Sequence, residues 1–279
     1  MANSSIEKDY EGKILTENTP FAITEAFRTL RTNMFYTSKG DPCPVYGITS
    51  SFANSGKSLL VSNLAISFAQ LDKKVLLLDC DLRSPVIHKI FGLEKGLGIS
   101  ELLAGSDNSV DKCLRKTKYN NLHVITSGGT PPNPTELLAS ERMAKFIEFL
   151  KNHFDIIFID LPPVGLVTDA TVISDAVTGY VMVVRSGIED QHSLKRAVSL
   201  MEQTDANIIG FILNDVNPKS SGKYGGYGKY GRYGRYGKYG YGKYGRYGRY
   251  GRYGRYGYGY GSYASYGRND TPQNGDTEN

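Results

Sequence analysis

The chain has 279 residues, of which 40% are hydrophobic, so it is long and apolar enough to bury a sizeable core. No N-terminal stretch has the pattern of a signal peptide, and no apolar run approaches the roughly 18–20 residues that span a bilayer. The three cysteines are far apart and form no CxxC pair, which excludes a disulfide framework and a zinc site. We therefore expect a cytoplasmic protein whose cysteines are reduced packing residues, namely Cys43, Cys80 and Cys113.

The net charge of +5 is divided unevenly along the chain. Residues 1–218 carry 21 basic and 25 acidic side chains, whereas residues 219–279 carry 12 basic and 3 acidic ones. The basic character therefore belongs to the C-terminal segment, and an argument for nucleic-acid binding from the isoelectric point would apply only there.

Between residues 44 and 216, short apolar runs alternate with longer amphipathic stretches, a pattern typical of βα units. The first amphipathic stretch, residues 22–35, predicts a helix outside the sheet order. Next come predicted strands at residues 45–49, 74–79, 122–126, 156–160, 180–185 and 207–213. Predicted helices between them span residues 57–70, 135–152 and 192–204. The sequence thus predicts an α/β fold with a mostly parallel central sheet covered by helices on both faces.

The composition changes after Pro218 to glycine, tyrosine, lysine and arginine, and 16 of the 21 tyrosines fall in this segment. It has no aliphatic residues for a core, and its glycine content makes ordering costly, so we expect disorder. The glycine register breaks and proline is absent from the repeats, which excludes collagen. We expect a flexible segment 1–20, a folded domain 21–218 and a disordered tail 219–279.

The most specific motif is SFANSGKS, residues 51–58, between a predicted strand and a predicted helix. The backbone N–H groups of such a loop form an anion site for nucleotide phosphates; Lys57 would reach the β- and γ-phosphates and Ser58 would bind Mg²⁺. Ser51 occupies the position of the first glycine in GxxxxGK[ST], and Asn54 would supply a residue with positive φ. The alternative is that GKS only begins a helix. The nucleotide-binding residues predicted from this loop are Ser51, Asn54, Ser55, Gly56, Lys57 and Ser58.

Three aspartates follow two further apolar strands. Asp79 and Asp81 end the VLLLDCD run, two residues apart and therefore on the same side of an extended chain. Asp160 ends IIFID, which has the form expected of a Walker B carboxylate. The carboxyl ends of parallel strands face one crevice, so these carboxylates could converge on one metal-bound phosphate. One such aspartate is easily explained as a cap of the following turn, but three around a GKS loop are not.

On these residues the sequence resembles the bacterial tyrosine kinases that regulate capsule and exopolysaccharide synthesis, relatives of the MinD/ParA-like P-loop ATPases. The resemblance implies ATP and Mg²⁺ as cofactors, with Lys57 on the phosphates. It implies that Asp79 assists deprotonation of the acceptor tyrosine, that Asp81 helps to hold Mg²⁺ together with Ser58, and that Asp160 supports the metal through water. Asn214 matches a position that contacts adenine, although a turn-forming asparagine is an equally good account.

The resemblance also implies an assembly. Glu25, Arg28 and Arg31 match an ExxRxxR helix motif that packs subunits into a ring such as an octamer; the alternative is a solvated helix face with one local ion pair. Without membrane helices, the chain resembles the cytosolic half of a two-part system, recruited to the inner face of the plasma membrane by a membrane activator and opposed by a cognate tyrosine phosphatase. Residues 53–55 depart from the family's usual Pro-Gly-Glu. The expected phosphoacceptors are Tyr224, Tyr227, Tyr230, Tyr233, Tyr236, Tyr239, Tyr241, Tyr244, Tyr247, Tyr250, Tyr253, Tyr256, Tyr258, Tyr260, Tyr263 and Tyr266.

Two other functions fit parts of the sequence. A MinD/ParA-like ATPase without kinase activity would share the fold, but such proteins usually carry a second lysine early in the loop, and residues 51–55 contain none. A basic Tyr-Gly-Arg arm could bind nucleic acid through arginine and stacked tyrosine, yet this leaves the attached P-loop domain unexplained. We therefore expect an autokinase that phosphorylates its own tail between subunits, so that the tail of one subunit meets the active site of a neighbour. We do not expect nucleic acid to be a partner.

Overall fold

The computed structural model describes residues 10, 12–38, 40–107 and 109–216, and within them a seven-stranded sheet forms the centre of the domain. The strand order is β3-β4-β2-β5-β1-β6-β7, and every pair is parallel except β3 with β4. The strands are β1 (Val45–Ser50), β2 (Val75–Asp79), β3 (Leu114–Lys116), β4 (Leu122–Ile125), β5 (Ile156–Asp160), β6 (Gly179–Arg185) and β7 (Ile208–Asn214). This confirms the predicted α/β fold with a mostly parallel sheet.

Helices cover both faces of this sheet. They are α1 (Phe21–Thr37), α2 (Lys57–Ala69), α3 (Ile87–Ile90), α4 (Ile99–Ala104), α5 (Val110–Cys113), α6 (Pro134–Leu138), α7 (Glu141–Lys151), a 3₁₀ helix (Thr168–Ala176) and α8 (Gln191–Glu202). Every residue of β1, β2 and β5 is buried, as expected for central strands enclosed by apolar layers on both sides. Two core clusters result, one on each face of the sheet.

The single helix predicted over residues 135–152 is divided in the structure. It breaks after Leu138, and Ser140 caps a second helix by accepting a hydrogen bond from the Met143 N–H. Serine is favoured at such a position because its hydroxyl satisfies an N–H that the first helical turn leaves free. The prediction of one helix over this range was therefore wrong.

The chain before α1 contacts the domain. Ile14 and Leu15 are buried among the core residues on the α2 face of the sheet. The Asn63 side chain on α2 accepts the Leu15 N–H at 2.7 Å and donates to the Lys13 carbonyl at 2.9 Å, and the Tyr119 hydroxyl donates to the Leu15 carbonyl. These contacts attach residues 13–15 to the helix that follows the GKS loop.

The expected disorder of the tail 219–279, with all sixteen predicted phosphoacceptors, concerns residues outside the described ranges. So does the first part of the predicted flexible segment, residues 1–9. In the ranges that are described, no helix has both the length and the hydropathy needed to cross a membrane.

The strand order determines where chemistry can occur. β1, β2 and β5 are adjacent, with β5 between the other two, and Asp79 and Asp160 are register partners at their carboxyl ends. The loop after β1 therefore meets both carboxylate-bearing strands at one edge of the sheet, the edge at which open parallel sheets bind ligands.

Candidate active site

The loop between β1 and α2 has the backbone of a phosphate-binding loop. Asn54 has φ of 61° and Gly56 has φ of 84°, so both lie in the left-handed region that favours glycine. The prediction of positive φ at Asn54 is confirmed. A Cβ atom at Gly56 would also overlap the side chain of Asn214, so this position requires glycine on two grounds. Helix α2 begins at Lys57, and its N-terminal N–H groups open towards the loop.

Lys57 is buried between carboxylates. Its Nζ donates to Asp81 Oδ2 at 2.8 Å, lies 3.6 Å from Asp160 Oδ1, and is 3.3 Å from the Ser58 hydroxyl. Burial acts to lower the pKa of Lys57, but the charges of Asp160 and Asp81 outweigh it and raise the pKa above its usual value. The ammonium group is therefore a permanent cation at the mouth of the loop.

Asp79 and Asp160 are fully buried side by side. Asp79 Oδ2 accepts the N–H of Ile87 at 3.1 Å, whereas Asp79 Oδ1 and both carboxylate oxygens of Asp160 have no hydrogen-bond partner within the described part of the chain. Burial and the neighbouring charge of Asp160 raise the pKa of Asp79 well above its usual range. Burial likewise raises the pKa of Asp160, although Lys57 opposes the shift.

Buried carboxylate oxygens that accept no hydrogen bond, next to a phosphate loop, are the ligands that Mg²⁺ prefers, so the residues fit a hard cation. The side chain of Asp81 is oriented by the turn that follows it, because Asp81 Oδ1 accepts the backbone N–H of Ser84 at 3.0 Å. Over the described ranges, no group of three or more His, Cys, Asp or Glu residues forms a complete metal cage. Mg²⁺ is usually held by one or two carboxylates together with substrate phosphates and water.

The comparisons with known proteins agree with this geometry. Residues 47–225 match the family described as the CobQ/CobB/MinD/ParA nucleotide binding domain. The putative tyrosine-protein kinase CapB of Staphylococcus aureus is 36% identical over 202 residues, which is 72% of this chain and 88% of CapB. Tyrosine-protein kinase etk of Escherichia coli K12 is 36% identical over 217 residues, 75% of this chain but only 30% of etk. The crystal structure of the chimerical protein CapA2B2 superposes with a TM-score of 0.70 at 34% identity, covering 74% of this chain and 90% of that one.

The chain belongs to the bacterial tyrosine-protein kinases. This kinase uses the MinD/ParA-like scaffold, as the sequence predicted. Of the predicted site residues, the structure brings Lys57, Ser58, Asp79, Asp81 and Asp160 into one cluster at the carboxyl edge of the sheet.

The remaining predicted nucleotide residues border this cluster. Asn214 donates from Nδ2 to the Ser55 carbonyl at 2.9 Å, so it contacts the loop directly. The Ser55 hydroxyl donates to the carbonyl of Phe52, inside the loop. The Ser51 hydroxyl is buried and has no hydrogen-bond partner among the described residues. A contact of Asn214 with adenine stays a prediction.

The predicted assembly residues lie on α1, away from the cluster. Arg28 forms an exposed ion pair with Glu25 at 2.6 Å, the local pair that the alternative interpretation requires. Arg31 instead donates to the backbone carbonyl of Ser67, near the C-terminus of α2, and to the Ser67 hydroxyl at 3.2 Å. The motif therefore has one exposed arginine and one that packs within the kinase's own subunit.

Sequence analysis missed a polar cluster next to the Asp79–Asp81 turn. Arg83 binds Asp169 on the 3₁₀ helix through two hydrogen bonds of 2.8 and 3.0 Å, and Thr135 donates to the same carboxylate at 2.6 Å. Burial works to raise the pKa of Asp169, but these hydrogen bonds lower it below its usual value. The sequence indicated this cluster only through Arg83, which lies two residues after Asp81. Its partners could not be predicted because they are 52 and 86 residues away in sequence.

Proposed function

We propose that the protein transfers the γ-phosphoryl group of Mg·ATP to tyrosine hydroxyls, first of all those of its own C-terminal segment, as an autokinase of a capsule or exopolysaccharide system. The observation that carries the proposal is the buried cluster of Lys57 with three aspartates at the phosphate loop of a chain in the tyrosine-kinase family. An arrangement of this kind positions and neutralises phosphates, and phosphoryl transfer needs little other covalent help from the protein.

The ammonium group of Lys57 is proposed to bind the β- and γ-phosphates. It is cationic at neutral pH and it already lies against carboxylates that also suit a metal ion. Ser58, Asp81 and Asp160 are the residues that would hold Mg²⁺, Asp160 through water. When bound, Mg²⁺ supplies neutralisation of the charge that develops on the phosphate oxygens. The N–H groups at the start of α2 bind the same oxygens.

Asp79 is the proposed base. A free tyrosine has a pKa of about 10, so its hydroxyl must lose a proton to become an effective nucleophile at neutral pH. Because the pKa of Asp79 is raised, it is a stronger base than an ordinary carboxylate and better matched to a phenol. Asp79 accepts the phenolic proton, the phenolate oxygen bonds to the γ-phosphorus, and the bond from that phosphorus to the β-phosphate oxygen breaks to release ADP.

The acceptors are proposed from the tail sequence, which carries 16 tyrosines. Tethering a tail of this length near active sites supplies a high effective concentration without a tight docking motif. We further propose transfer between subunits of a ring built through Glu25, Arg28 and Arg31. We also propose a membrane activator that recruits the cytoplasmic protein to the inner face of the plasma membrane, and a cognate phosphatase that resets the tail.

The direct test is to incubate the purified full chain with Mg·ATP and to map phosphotyrosine by mass spectrometry. It is repeated with and without the cytosolic segments of candidate membrane partners, and ATP hydrolysis is measured in parallel. We expect phosphotyrosine within residues 224–266 and its loss when Mg²⁺ is chelated. Steady ATP hydrolysis with no phosphotyrosine under any of these conditions would contradict the proposal and favour a MinD/ParA-like ATPase.

A further inference from the structure

Two side chains outside the Lys57–aspartate cluster bind carbonyl oxygens of the phosphate loop. Arg185, the last residue of β6, donates from Nη1 to the Asn54 carbonyl at 3.1 Å. Asn214, the last residue of β7, donates from Nδ2 to the Ser55 carbonyl at 2.9 Å. The ends of the two outermost parallel strands on this side of the sheet thus hold two successive peptide groups of the loop.

Arg185 is itself fixed on both sides. Its Nε and Nη2 atoms bind one carboxylate oxygen of Asp215 at 3.1 and 3.0 Å, and its backbone N–H donates to Glu189 Oε2 at 3.0 Å. Asp215 directly follows Asn214 and has φ of 57°, a conformation that aspartate tolerates better than most residues. One guanidinium therefore joins the loop to the end of β7, which a lysine with its single nitrogen could not do in the same geometry.

One side of the loop borders an open pocket, so packing on that side contributes little to its shape. A cavity of about 300 Å³ borders its outer side, lined by Phe52, Ala53, Asn54, Ser55, Arg185, Ile188 and Glu189. Asn54 also adopts a positive φ that a non-glycine residue does not prefer. A segment with an unfavourable backbone conformation and a cavity beside it keeps its shape through hydrogen bonds.

The hydrogen bonds from Arg185 and Asn214 to the loop carbonyls also determine which way the loop N–H groups point. In a planar trans peptide, the C=O and N–H of one peptide group point in opposite directions. Fixing the Asn54 carbonyl on Arg185 therefore fixes the N–H of Ser55 away from Arg185. Fixing the Ser55 carbonyl on Asn214 fixes the N–H of Gly56 in the same way. These N–H groups belong to the segment that binds phosphate in loops of this kind.

We propose that Arg185 and Asn214, with Asp215 as the support of Arg185, are positioning residues that set the conformation of residues 54–56 for phosphate binding. The role rests on the proposed use of a nucleoside triphosphate, and it does not involve contact with the reacting atoms. It adds two residues to the phosphate site, one from β6 and one from β7, and both lie far from the GKS motif in sequence.

The test measures binding of Mg·ADP, Mg·ATP and inorganic tripolyphosphate with Mg²⁺ by calorimetry, for full-length Arg185→Ala, Arg185→Lys, Asn214→Ala and Asp215→Asn. We expect Arg185→Ala and Arg185→Lys to weaken ADP and ATP about equally, by about tenfold, since each loses a charged hydrogen bond to the loop. Asn214→Ala should also weaken tripolyphosphate, which has no base, and this separates loop support from any contact with adenine. Arg196→Ala, on the exposed face of α8, is the matched control and should change nothing.

Hydrogen exchange of the nucleotide-free proteins provides the second measurement. Amides of residues 51–58 should exchange faster in the Arg185 and Asn214 variants, with melting temperatures close to that of Arg196→Ala. Full affinity in Arg185→Lys, or a loss for ATP without a loss for ADP, would mean that Arg185 acts by charge, and it would overturn the proposal. Unchanged exchange in the loop would do the same. Neither readout depends on tyrosine phosphorylation, so a failure of the kinase proposal would be seen separately.

Discussion

At the scale of single residues, Lys57 serves two purposes that a single substitution should reveal. It is the proposed cation for the phosphates, and it is also the charge that neutralises Asp81 and Asp160 in a buried site. Removing one partner of a buried ion pair leaves the other without compensation, which costs stability. Lys57→Met should therefore lower the stability of the domain as well as its activity.

We therefore expect Lys57→Met to abolish tail phosphorylation and to lower the free energy of unfolding by about 2 kcal/mol. Phosphotyrosine blots and urea titrations of the full chain measure the two effects. The same substitution at Lys145, whose ion pair with Glu141 is exposed, is the control and should change neither. Wild-type phosphotyrosine levels in Lys57→Met would remove Lys57 from the mechanism.

Asp79, the proposed base, is expected to lower the stability of the folded domain. A carboxyl group whose folded pKa is raised contributes stability that is fully present below its unfolded pKa of about 4 and that is lost as the pH rises through the folded pKa. Above its unfolded pKa the buried carboxyl group therefore opposes folding increasingly as the pH rises. Asn cannot ionise, so Asp79→Asn removes this cost.

We expect Asp79→Asn to slow phosphoryl transfer by about 100-fold or more while raising the melting temperature, and to raise it more at pH 8 than at pH 5. Thermal melts at both pH values, nucleotide titrations and single-turnover transfer check the three statements. Asp175→Asn, at an exposed position, is the control. If nucleotide affinity falls as far as the transfer rate, Asp79 is chiefly a ligand of the metal and another group must take the proton.

At the scale of elements, the two arginines of the motif on helix α1 have different environments. The ion pair of Arg28 with Glu25 is exposed, and such pairs contribute at most about 1 kcal/mol. Arg31 donates to a carbonyl at the C-terminal end of α2, where a cation also interacts favourably with the helix dipole. In the proposed ring, Arg28 would therefore be the exposed arginine of the motif that can contact a neighbouring subunit, whereas Arg31 is already engaged within its own subunit.

If the proposed ring forms through this motif, Arg28→Ala should reduce the mass measured by light scattering to that of a monomer without changing the melting temperature. Arg31→Ala should also destabilise the isolated subunit, by about 1–2 kcal/mol. Thermal melts at a protein concentration where both variants are monomeric make the comparison. An Arg28→Ala protein that keeps the wild-type mass would show that the motif acts only within the subunit.

Prediction from the sequence succeeded for residues whose position follows directly from the fold class. Asp79 and Asp160 stand at the ends of strands buried on both faces, so their place at the carboxyl edge followed from the fold class alone. The break at Ser140 was missed because serine also occurs inside helices, and the short antiparallel strand β3 was missed because its sequence, LRK, contains no apolar run. Contacts such as Arg185 with Asn54 depend on which strands lie side by side, and the sequence alone does not contain the strand order.

At the scale of the whole molecule, charge divides the chain into two unlike parts. Residues 1–218 carry a net charge of −4, and residues 219–279 carry +9. Each phosphotyrosine adds about −1.5 to −2 charges near pH 7, so about five or six of them cancel the charge of the tail. Further phosphorylation of the 16 tyrosines makes the tail strongly anionic. Phosphorylation of the tail, as proposed, would therefore reverse the sign of its net charge and not merely reduce it.

This reversal predicts a cycle of assembly. If a ring forms through Arg28 and its counterparts, several anionic tails on one ring repel each other and compete for the same arginines, so full phosphorylation should release subunits. The effect should weaken in high salt, because charges on exposed chains are screened beyond about 8–10 Å at physiological ionic strength. Light scattering of the unphosphorylated and fully phosphorylated protein at low and high salt measures it, with Arg28→Ala as a variant whose mass should not respond. Equal masses of the two forms at every salt concentration would rule out the switch, while the assignment to the tyrosine kinases would stand on its own evidence.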